Sequence, residues 1–270
     1  MGKTALVTGA SAGLGRELAR LFAADGHDLV LVARRRPALE ALAAELVERG
    51  VTARVMAEDL ADPEAPERIL YQLQRDGVAV EYLVNNAGFG STGTFADSDM
   101  VRELAMIQVN VTSLVYLTRL FLADMITRRS GRILNLGSTA GFQPGPYMAV
   151  YYASKAFVNS FTEALSFELR GTGVTATVCC PGATATEFGA VAGNGESRLF
   201  LMGATGAPQV ARHAYRAMMA GKAMSLPGWR AKLGLQMLRF GSRGVVRGVT
   251  ARMNQVPAPD GGRALAERKR

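Results

Sequence analysis

The sequence predicts a doubly wound α/β fold, a three-layer sandwich with helices on both faces of a mostly or wholly parallel sheet of six to seven strands. Two observations support this prediction. Short apolar runs alternate with segments of helical periodicity along most of the 270 residues, as in chains built from strand–helix–strand units. The apolar runs are continuous, which is typical of strands covered on both faces.

Six apolar or β-branched runs are the candidate strands. They span residues Ala5–Thr8, Asp28–Val32, Thr52–Met56, Tyr82–Val84, Arg132–Leu136 and Val174–Cys179. The segment 223–228 offers a short seventh strand. Leu14, Leu18 and Leu21 recur at helical spacing after the first run, and Gly26 ends that segment as a helix C-cap does. Further helices are predicted over 37–49, 98–128 and 151–170.

The composition fits a globular α/β protein, with 49% hydrophobic and 7% aromatic residues. No uninterrupted apolar run approaches the roughly 18 residues of a membrane span, and the first residues do not resemble a signal peptide. Cys179 and Cys180 are adjacent within an apolar run, which favours buried, reduced thiols in a cytoplasmic protein.

The charge divides the chain in two. Residues 1–221 carry a net charge of −1, whereas residues 222–270 carry +9. We therefore expect a catalytic domain over 1–221 and a basic helical extension over 222–270. The extension either packs on the domain, which we favour, or lies on an anionic membrane surface, which would make the protein membrane-peripheral. Nucleic acid is not an expected partner, because the charge is confined to the tail.

A glycine-rich turn follows the first predicted strand. Gly9, Gly13 and Gly15 in "TGASAGLG" allow a sharp turn and a close approach to the next helix N-terminus. Free N–H groups and the positive end of the helix dipole favour a phosphate there. The first strand–helix junction of a doubly wound fold is where a dinucleotide binds.

The second predicted strand ends in "LVARRR". Sites for NAD commonly hold an acidic residue at this point, on the ribose 2′-hydroxyl. Ala33 takes that position here, and Arg34 and Arg35 follow. Guanidinium groups suit a 2′-phosphate, so the sequence favours NADP(H) over NAD(H).

The segment "YYASK" places two tyrosines ahead of Lys155. On a helix, Tyr151 lies about 40° and Tyr152 about 60° from the lysine. Either phenol could work as an acid–base group beside the ammonium, and the spacing only leans towards Tyr151.

Seven motifs in order resemble the short-chain dehydrogenase/reductase family over about residues 3–220. They are "TGASAGLG", Asp59 in "EDL", "NNAG" at 85–88, Asn110 in "VNVTS", "GSTAG" at 137–141, "YYASK" and "PGATAT" at 181–186. The resemblance implies a Rossmann-type fold and selects Tyr151 as the catalytic tyrosine, because the family motif is Tyr-x-x-x-Lys.

The resemblance also implies a catalytic set. Ser138 holds the substrate oxygen, Tyr151 exchanges a proton with it, and Lys155 binds the nicotinamide ribose and lowers the pKa of Tyr151. Asn110 orders a water molecule that relays protons to Lys155. A tyrosine needs a shift of about 4 kcal/mol to work near pH 7, roughly what one ammonium about 4 Å away supplies at an effective dielectric near 20.

The expected cofactor residues follow the same motifs. They are Gly9, Ser11, Gly13, Leu14, Gly15, Arg34, Arg35, Asp59, Leu60, Asn86, Ala87, Gly88, Tyr151, Lys155, Pro181, Gly182, Thr184 and Thr186. No metal is expected.

The substrate is expected to be a small apolar ketone, aldehyde or alcohol. Residues 187–206 are rich in glycine and apolar side chains, which is typical of a lid. The chain is expected to form a homodimer through its two long helices, with a tetramer as the alternative. A catalytically idle protein that senses NADP(H) is the competing function, although Ser138, Tyr151 and Lys155 are all present.

Overall fold

The structure, a computed structural model, describes residues 2–193, 197, 203–228, 233–236 and 241–255. Its strands are β1 (Thr4–Thr8), β2 (Asp28–Ala33), β3 (Ala53–Ala57), β4 (Val80–Asn85), β5 (Gly131–Leu136), β6 (Val174–Cys179), β7 (Thr184–Ala185), β8 (Thr205–Gly206) and β9 (Met224–Ser225). Seven of them form one parallel sheet in the order β3-β2-β1-β4-β5-β6-β9. The predicted fold class is confirmed. The six predicted runs begin and end within two residues of an observed strand, and the seventh segment, 223–228, contains β9.

Helices connect these strands and cover both faces of the sheet. They are α1 (Gly13–Ala24), α2 (Arg36–Val47), α3 (Ala65–Arg75), α4 (Met100–Ile107), α5 (Ser113–Thr127), α6 (Ala149–Glu168), α7 (Phe188–Ala192), α8 (Ala207–Met219) and α9 (Arg243–Asn254). Of these, α3, α7 and α8 were not predicted from periodicity.

The core consists of two apolar layers, one on each face of the sheet. Ala5 and Val7 of β1 pack towards α1, α2 and α8, where Phe22 is fully buried. Leu6, between them in the strand, packs towards α3 and α5, where Ile69 is fully buried. Because successive side chains of a strand point to opposite faces, this distribution requires helices on both sides.

The helix predicted over 98–128 is not continuous. Asp99 caps α4 through its carboxylate, which accepts a hydrogen bond from the N–H of Val101 at 3.0 Å. A π-helical turn, Gln108–Thr112, then separates α4 from α5. Such turns occur frequently at functional sites, and this one carries Asn110.

The stretch Met100–Thr127 is long and apolar enough to cross a membrane by length and composition alone. It is the one such stretch among the described residues. Leu117, Phe121 and Met125 of α5 pack into the core beside the sheet. This burial accounts for part of the apolar composition.

The C-terminal part of the chain contributes to the sheet and to the cleft. Strand β9 pairs with β6, although the predicted domain boundary at 221 would assign it to the extension. Helix α9 buries Thr250 and Asn254 against the catalytic domain. This contact agrees with packing on the domain, but the two-domain division itself stays a prediction. Arg239 of the predicted basic extension, and Leu199 to Met202 of the predicted lid, lie outside the described residues.

Candidate active site

One cleft of about 460 Å³ lies at the carboxyl edge of the parallel sheet. Turns that follow each of the strands β1 to β6 open into it, together with side chains of α6, α7 and α9. In open parallel sheets, ligands bind at this edge. The cleft therefore brings together motifs that are distant in sequence.

The glycine-rich turn after β1 is built for close approach. Gly9 and Gly13 have positive φ angles of 66° and 52°, which disfavour any residue with a Cβ. A Cβ on Gly15 would lie 2.3 Å from the carbonyl oxygen of Gly9. The N-terminus of α1 follows at once, and no side chain of the described residues caps it. Its N–H groups are therefore available to a pyrophosphate.

Asn86 has a structural contact. Its Nδ2 donates to the carbonyl oxygen of Thr8 at 2.8 Å, and the Thr8 hydroxyl accepts from the N–H groups of Asn86 and Ala87 at 3.0 Å each. These bonds connect the turn after β4 to the end of β1. Asn86 and Ala87 line the cleft beside Gly88.

The arginines after β2 reach the same cleft. Arg34 and Arg35 line it, and Arg35 Nη2 donates to Glu187 Oε2 at 2.8 Å. Arg35 also contacts the Ser11 hydroxyl at 3.3 Å. Arg36 instead pairs with Glu40 on its own helix at 3.7 Å. The two guanidinium groups suit a 2′-phosphate. Ala33 beside them carries only a methyl group, which does not repel an anion.

The remaining predicted cofactor residues also surround this cleft. Asp59 accepts a hydrogen bond from the N–H of Ala61 at 3.0 Å, which closes the turn after β3. On the other side, a Cβ on Gly13 would lie 3.1 Å from the side chain of Thr186. The other lining members are Leu14, Leu60, Pro181, Gly182 and Thr184. Gly15 is the one predicted cofactor residue that does not line the cleft; it supports the turn from behind.

Ser138, Tyr151 and Lys155 meet in the middle of the cleft. All three line it and are nearly buried, with 8%, 9% and 6% of their surfaces exposed. Lys155 Nζ lies 5.9 Å from the centre of the Tyr151 ring and donates to the carbonyl oxygen of Leu136 at 2.7 Å. The Ser138 hydroxyl accepts from the N–H of Ala140 at 3.0 Å.

Asn110 lies beside this group but does not line the cleft. Its Oδ1 accepts from the N–H of Phe89 at 3.1 Å, and its Nδ2 donates to the Ser154 hydroxyl at 3.1 Å. A Cβ on Gly88 would lie 2.9 Å from Asn110 Oδ1 and 3.6 Å from Lys155 Nζ. Gly88 thus lets the amide and the ammonium approach each other.

The expected lowering of the Tyr151 pKa is absent from this structure. Burial raises the pKa of Tyr151 to about 12, and a hydrogen bond with Ser138 opposes the rise only in part. Burial also lowers the pKa of Lys155 to about 8. A phenol with this pKa keeps its proton at neutral pH.

Asn159 contacts the turn that carries Ser138, and the motifs did not single it out. Its Nδ2 donates to the carbonyl oxygen of Ser138 at 3.0 Å, and a Cβ on Gly137 would lie 2.1 Å from its Oδ1. Asn159 therefore positions the turn that carries Ser138. An amide one helical turn after Lys155, on the same face, was the signal that could have revealed it.

The family profile of short chain dehydrogenases matches residues 3–196. The chain belongs to the short chain dehydrogenase family. This membership accounts for the order of the motifs around the cleft. Within the described residues, no group of three or more His, Cys, Asp and Glu side chains could hold a metal ion.

Two curated family members illustrate the similarity. A short chain dehydrogenase of Pseudocercospora fijiensis is 37% identical over 191 residues, which are 70% of this chain and 62% of that protein. The NADP-dependent 3-hydroxy acid dehydrogenase YdfG of Salmonella typhi is 39% identical over 71% of this chain and 77% of its own length.

A solved structure covers more of the chain. It is a short-chain dehydrogenase from Sphingobium yanoikuyae in complex with NADPH, 31% identical, with a TM-score of 0.80. The alignment covers 96% of the present chain and 99% of the Sphingobium yanoikuyae chain. The similarity therefore extends beyond the residues that the family profile matches.

Proposed function

We propose that this protein is an NADP(H)-dependent oxidoreductase that transfers a hydride between a carbonyl or alcohol carbon of an apolar substrate and the cofactor. The observation that carries the proposal is the meeting of Ser138, Tyr151 and Lys155 in the cleft that the glycine-rich turn and Arg34 also enter. The NADPH complex of the Sphingobium yanoikuyae relative and the NADP-dependent relative from Salmonella typhi support the choice of cofactor.

The residues of the cleft divide the work. NADP(H), when bound, supplies or accepts the hydride at C4 of its nicotinamide ring. The Ser138 hydroxyl donates a hydrogen bond to the substrate oxygen and polarises its bond to carbon. Tyr151 Oη gives its proton to that oxygen during reduction and takes it back during oxidation. Lys155 binds the nicotinamide ribose, and Asn110 orders a water molecule that relays protons to Lys155.

The apolar character of the substrate follows from the walls near Tyr151. The Phe188 ring lies 5.2 Å from the Tyr151 ring, centre to centre, and Met148, Val191 and Met253 also line the cleft. Burying a hydrophobic group among these side chains is favourable at about 25 cal/mol per Å². We infer a small apolar carbonyl or alcohol.

Changing both Arg34 and Arg35 to Ala is expected to weaken NADPH binding about 30-fold or more and to change NADH binding little, because charge-assisted hydrogen bonds contribute roughly 1.5–3 kcal/mol each. The pair between Arg35 and Glu187 does not prevent phosphate binding, since both side chains are about half exposed and such pairs are weak. Nicotinamide fluorescence titrations of the wild type and the variant measure both constants.

Arg36→Ala is the matched control, because Arg36 faces Glu40 and does not line the cleft. It should keep the preference of the wild type for NADPH. A wild type that bound NADH as tightly as NADPH, or a double variant that kept its preference, would contradict the assignment of the 2′-phosphate site.

We further propose a homodimer through α4, α5 and α6. Apolar side chains are exposed on these helices, among them Val101 and Leu104 of α4 and Phe157 and Phe167 of α6. Large apolar side chains left exposed on neighbouring helices commonly mark an interface. Introducing charge on two of these helices, as in Leu104→Glu with Phe157→Glu, is expected to yield monomers by light scattering. Tyr71→Glu, on the exposed face of α3, should leave the dimer intact.

A further inference from the structure

Helix α9 covers the end of the cleft where the substrate is expected. Thr250 and Met253 line the cleft together with Gln143, Met148 and Tyr152. Thr250 is 2% exposed, and Asn254, one turn later, is 1% exposed. We call α9 the roof of the cleft. The roof comes from a part of the chain that the family profile, which ends at residue 196, does not match.

Side-chain hydrogen bonds attach the roof to the catalytic domain. Tyr152 Oη donates to Asn254 Oδ1 at 2.9 Å, and Asn254 Nδ2 donates to the carbonyl oxygen of Pro146 at 3.0 Å. Tyr152 is 5% exposed, so this bond is shielded from water. Gln255 Nε2 adds a contact to Tyr147 Oη at 3.2 Å near the surface. Breaking a buried hydrogen bond leaves its partner unsatisfied and is costly.

The described residues of the roof include few other buried side chains. Within Arg243–Asn254, Thr250 and Asn254 are the buried residues, and the Thr250 hydroxyl donates to the carbonyl oxygen of Val246 in its own helix at 2.9 Å. The side chain of Asn254 therefore holds the roof through two bonds to the catalytic domain.

The position of Tyr152 explains why it serves the roof and not the acid–base chemistry. Its ring packs directly on Gly145, where a Cβ would lie 2.1 Å from a ring carbon. The ring stands nearly perpendicular to that of Tyr151, at 79°. Tyr152 Oη is thereby directed to Asn254, whereas Tyr151 faces Ser138 and Lys155. Tyr152 therefore contacts the roof, and Tyr151 contacts the proposed catalytic residues.

We propose that the hydrogen bond between Tyr152 and Asn254 fixes α9 as the roof of the cleft, and that Met253 in this roof limits the bulk of the substrate beside Tyr151. Tyr152 and Asn254 are positioning residues, and Met253 determines specificity. The inference rests on the proposed function, because it concerns the carbonyl substrate of that reaction. An unbranched Met fills an irregular wall and leaves space when it is shortened.

The first experiment compares acetophenone, with one bulky substituent, and benzophenone, with two, as substrates with NADPH. Met253→Ala should raise kcat/KM for benzophenone relative to acetophenone at least about tenfold, since a few methylene-sized groups in a pocket change kcat/KM by this order. The NADPH dissociation constant should stay unchanged. Arg252→Ala, an exposed change on the same helix, should keep the wild-type ratio.

The second experiment measures attachment by hydrogen exchange over residues 243–255. Tyr152→Phe and Asn254→Leu each remove the bond from one side, so both should speed exchange there about tenfold or more, which corresponds to about 1.4 kcal/mol. The double variant should exchange no faster than the more affected single variant. Both variants should also lose discrimination between the ketones while the NADPH dissociation constant is kept.

Unchanged exchange in both single variants would overturn the attachment, and an unchanged ketone ratio in Met253→Ala would overturn the specificity role. A wild type that bound NADPH but reduced neither ketone would contradict the proposed apolar carbonyl substrate instead. In that case the exchange measurement alone still decides whether Tyr152 and Asn254 hold the roof.

Discussion

Replacing Tyr151 by Phe is expected to lower kcat for carbonyl reduction about 10³-fold, because a positioned general acid contributes roughly 10²–10⁴-fold. The variant lacks the Oη that carries the proton, while its ring can still pack beside Phe188, 5.2 Å away in the wild type. NADPH binding should therefore stay within about threefold of the wild-type value. Single-turnover loss of NADPH fluorescence, at saturating ketone, measures the chemical step.

Tyr71→Phe is the matched control, since this tyrosine on α3 is 69% exposed and lies away from the cleft. It should keep the wild-type kcat. A Tyr151→Phe variant within about tenfold of the wild type would remove Tyr151 from the mechanism. Because the pKa of Tyr151 is about 12 in this structure, the ultraviolet difference between wild type and variant should show no tyrosinate at neutral pH.

Replacing Lys155 by Met is expected to abolish most activity and yet to stabilise the ligand-free protein. The folded pKa of Lys155 is about 8, below its ordinary value of 10.5, because burial disfavours the ammonium. That difference corresponds to a cost of about 3 kcal/mol when the lysine is charged in both states. The variant also loses the hydrogen bond to the Leu136 carbonyl, which lowers its stability by about 1 kcal/mol. We therefore expect the free energy of unfolding to rise by about 2 kcal/mol at pH 7.

The pH dependence of this gain provides a check of its cause. A lysine with a lowered pKa in the folded state destabilises the protein fully below about pH 8, and the cost disappears as the pH rises towards 10.5. The advantage of the variant in urea unfolding should therefore be present at pH 7 and lost near pH 10. Lys222→Met, at an exposed position, should change stability little at either pH. A less stable Lys155→Met variant at pH 7 would contradict the interpretation.

The sheet and most of the cleft could be predicted from the sequence for a physical reason. Strands buried on both faces must be continuously apolar, and the carboxyl ends of parallel strands meet at one edge. Motifs placed after such runs, such as the glycines after β1 and Ser138 after β5, are therefore bound to converge. The choice between Tyr151 and Tyr152 needed more than helical geometry, because both lie on the face of Lys155.

Other features could not be predicted because they depend on tertiary contacts. The π turn at Asn110 looks like ordinary helix in the sequence. Asn159 has no role until Ser138 is placed beside it. The pKa of Tyr151 depends on how completely the cleft excludes water, which spacing does not reveal. The bond from Tyr152 to Asn254 joins residues 102 positions apart, a separation that local patterns do not encode.

The attachment of α9 separates two functions along the gene. The residues expected to bind the dinucleotide belong to motifs between Gly9 and Thr186, whereas the roof begins at Arg243. Exchange of α9 alone would therefore alter which substrates are accepted while cofactor choice is inherited intact. During synthesis the dinucleotide motifs leave the ribosome before α9, so the roof would be added to a chain that already contains them.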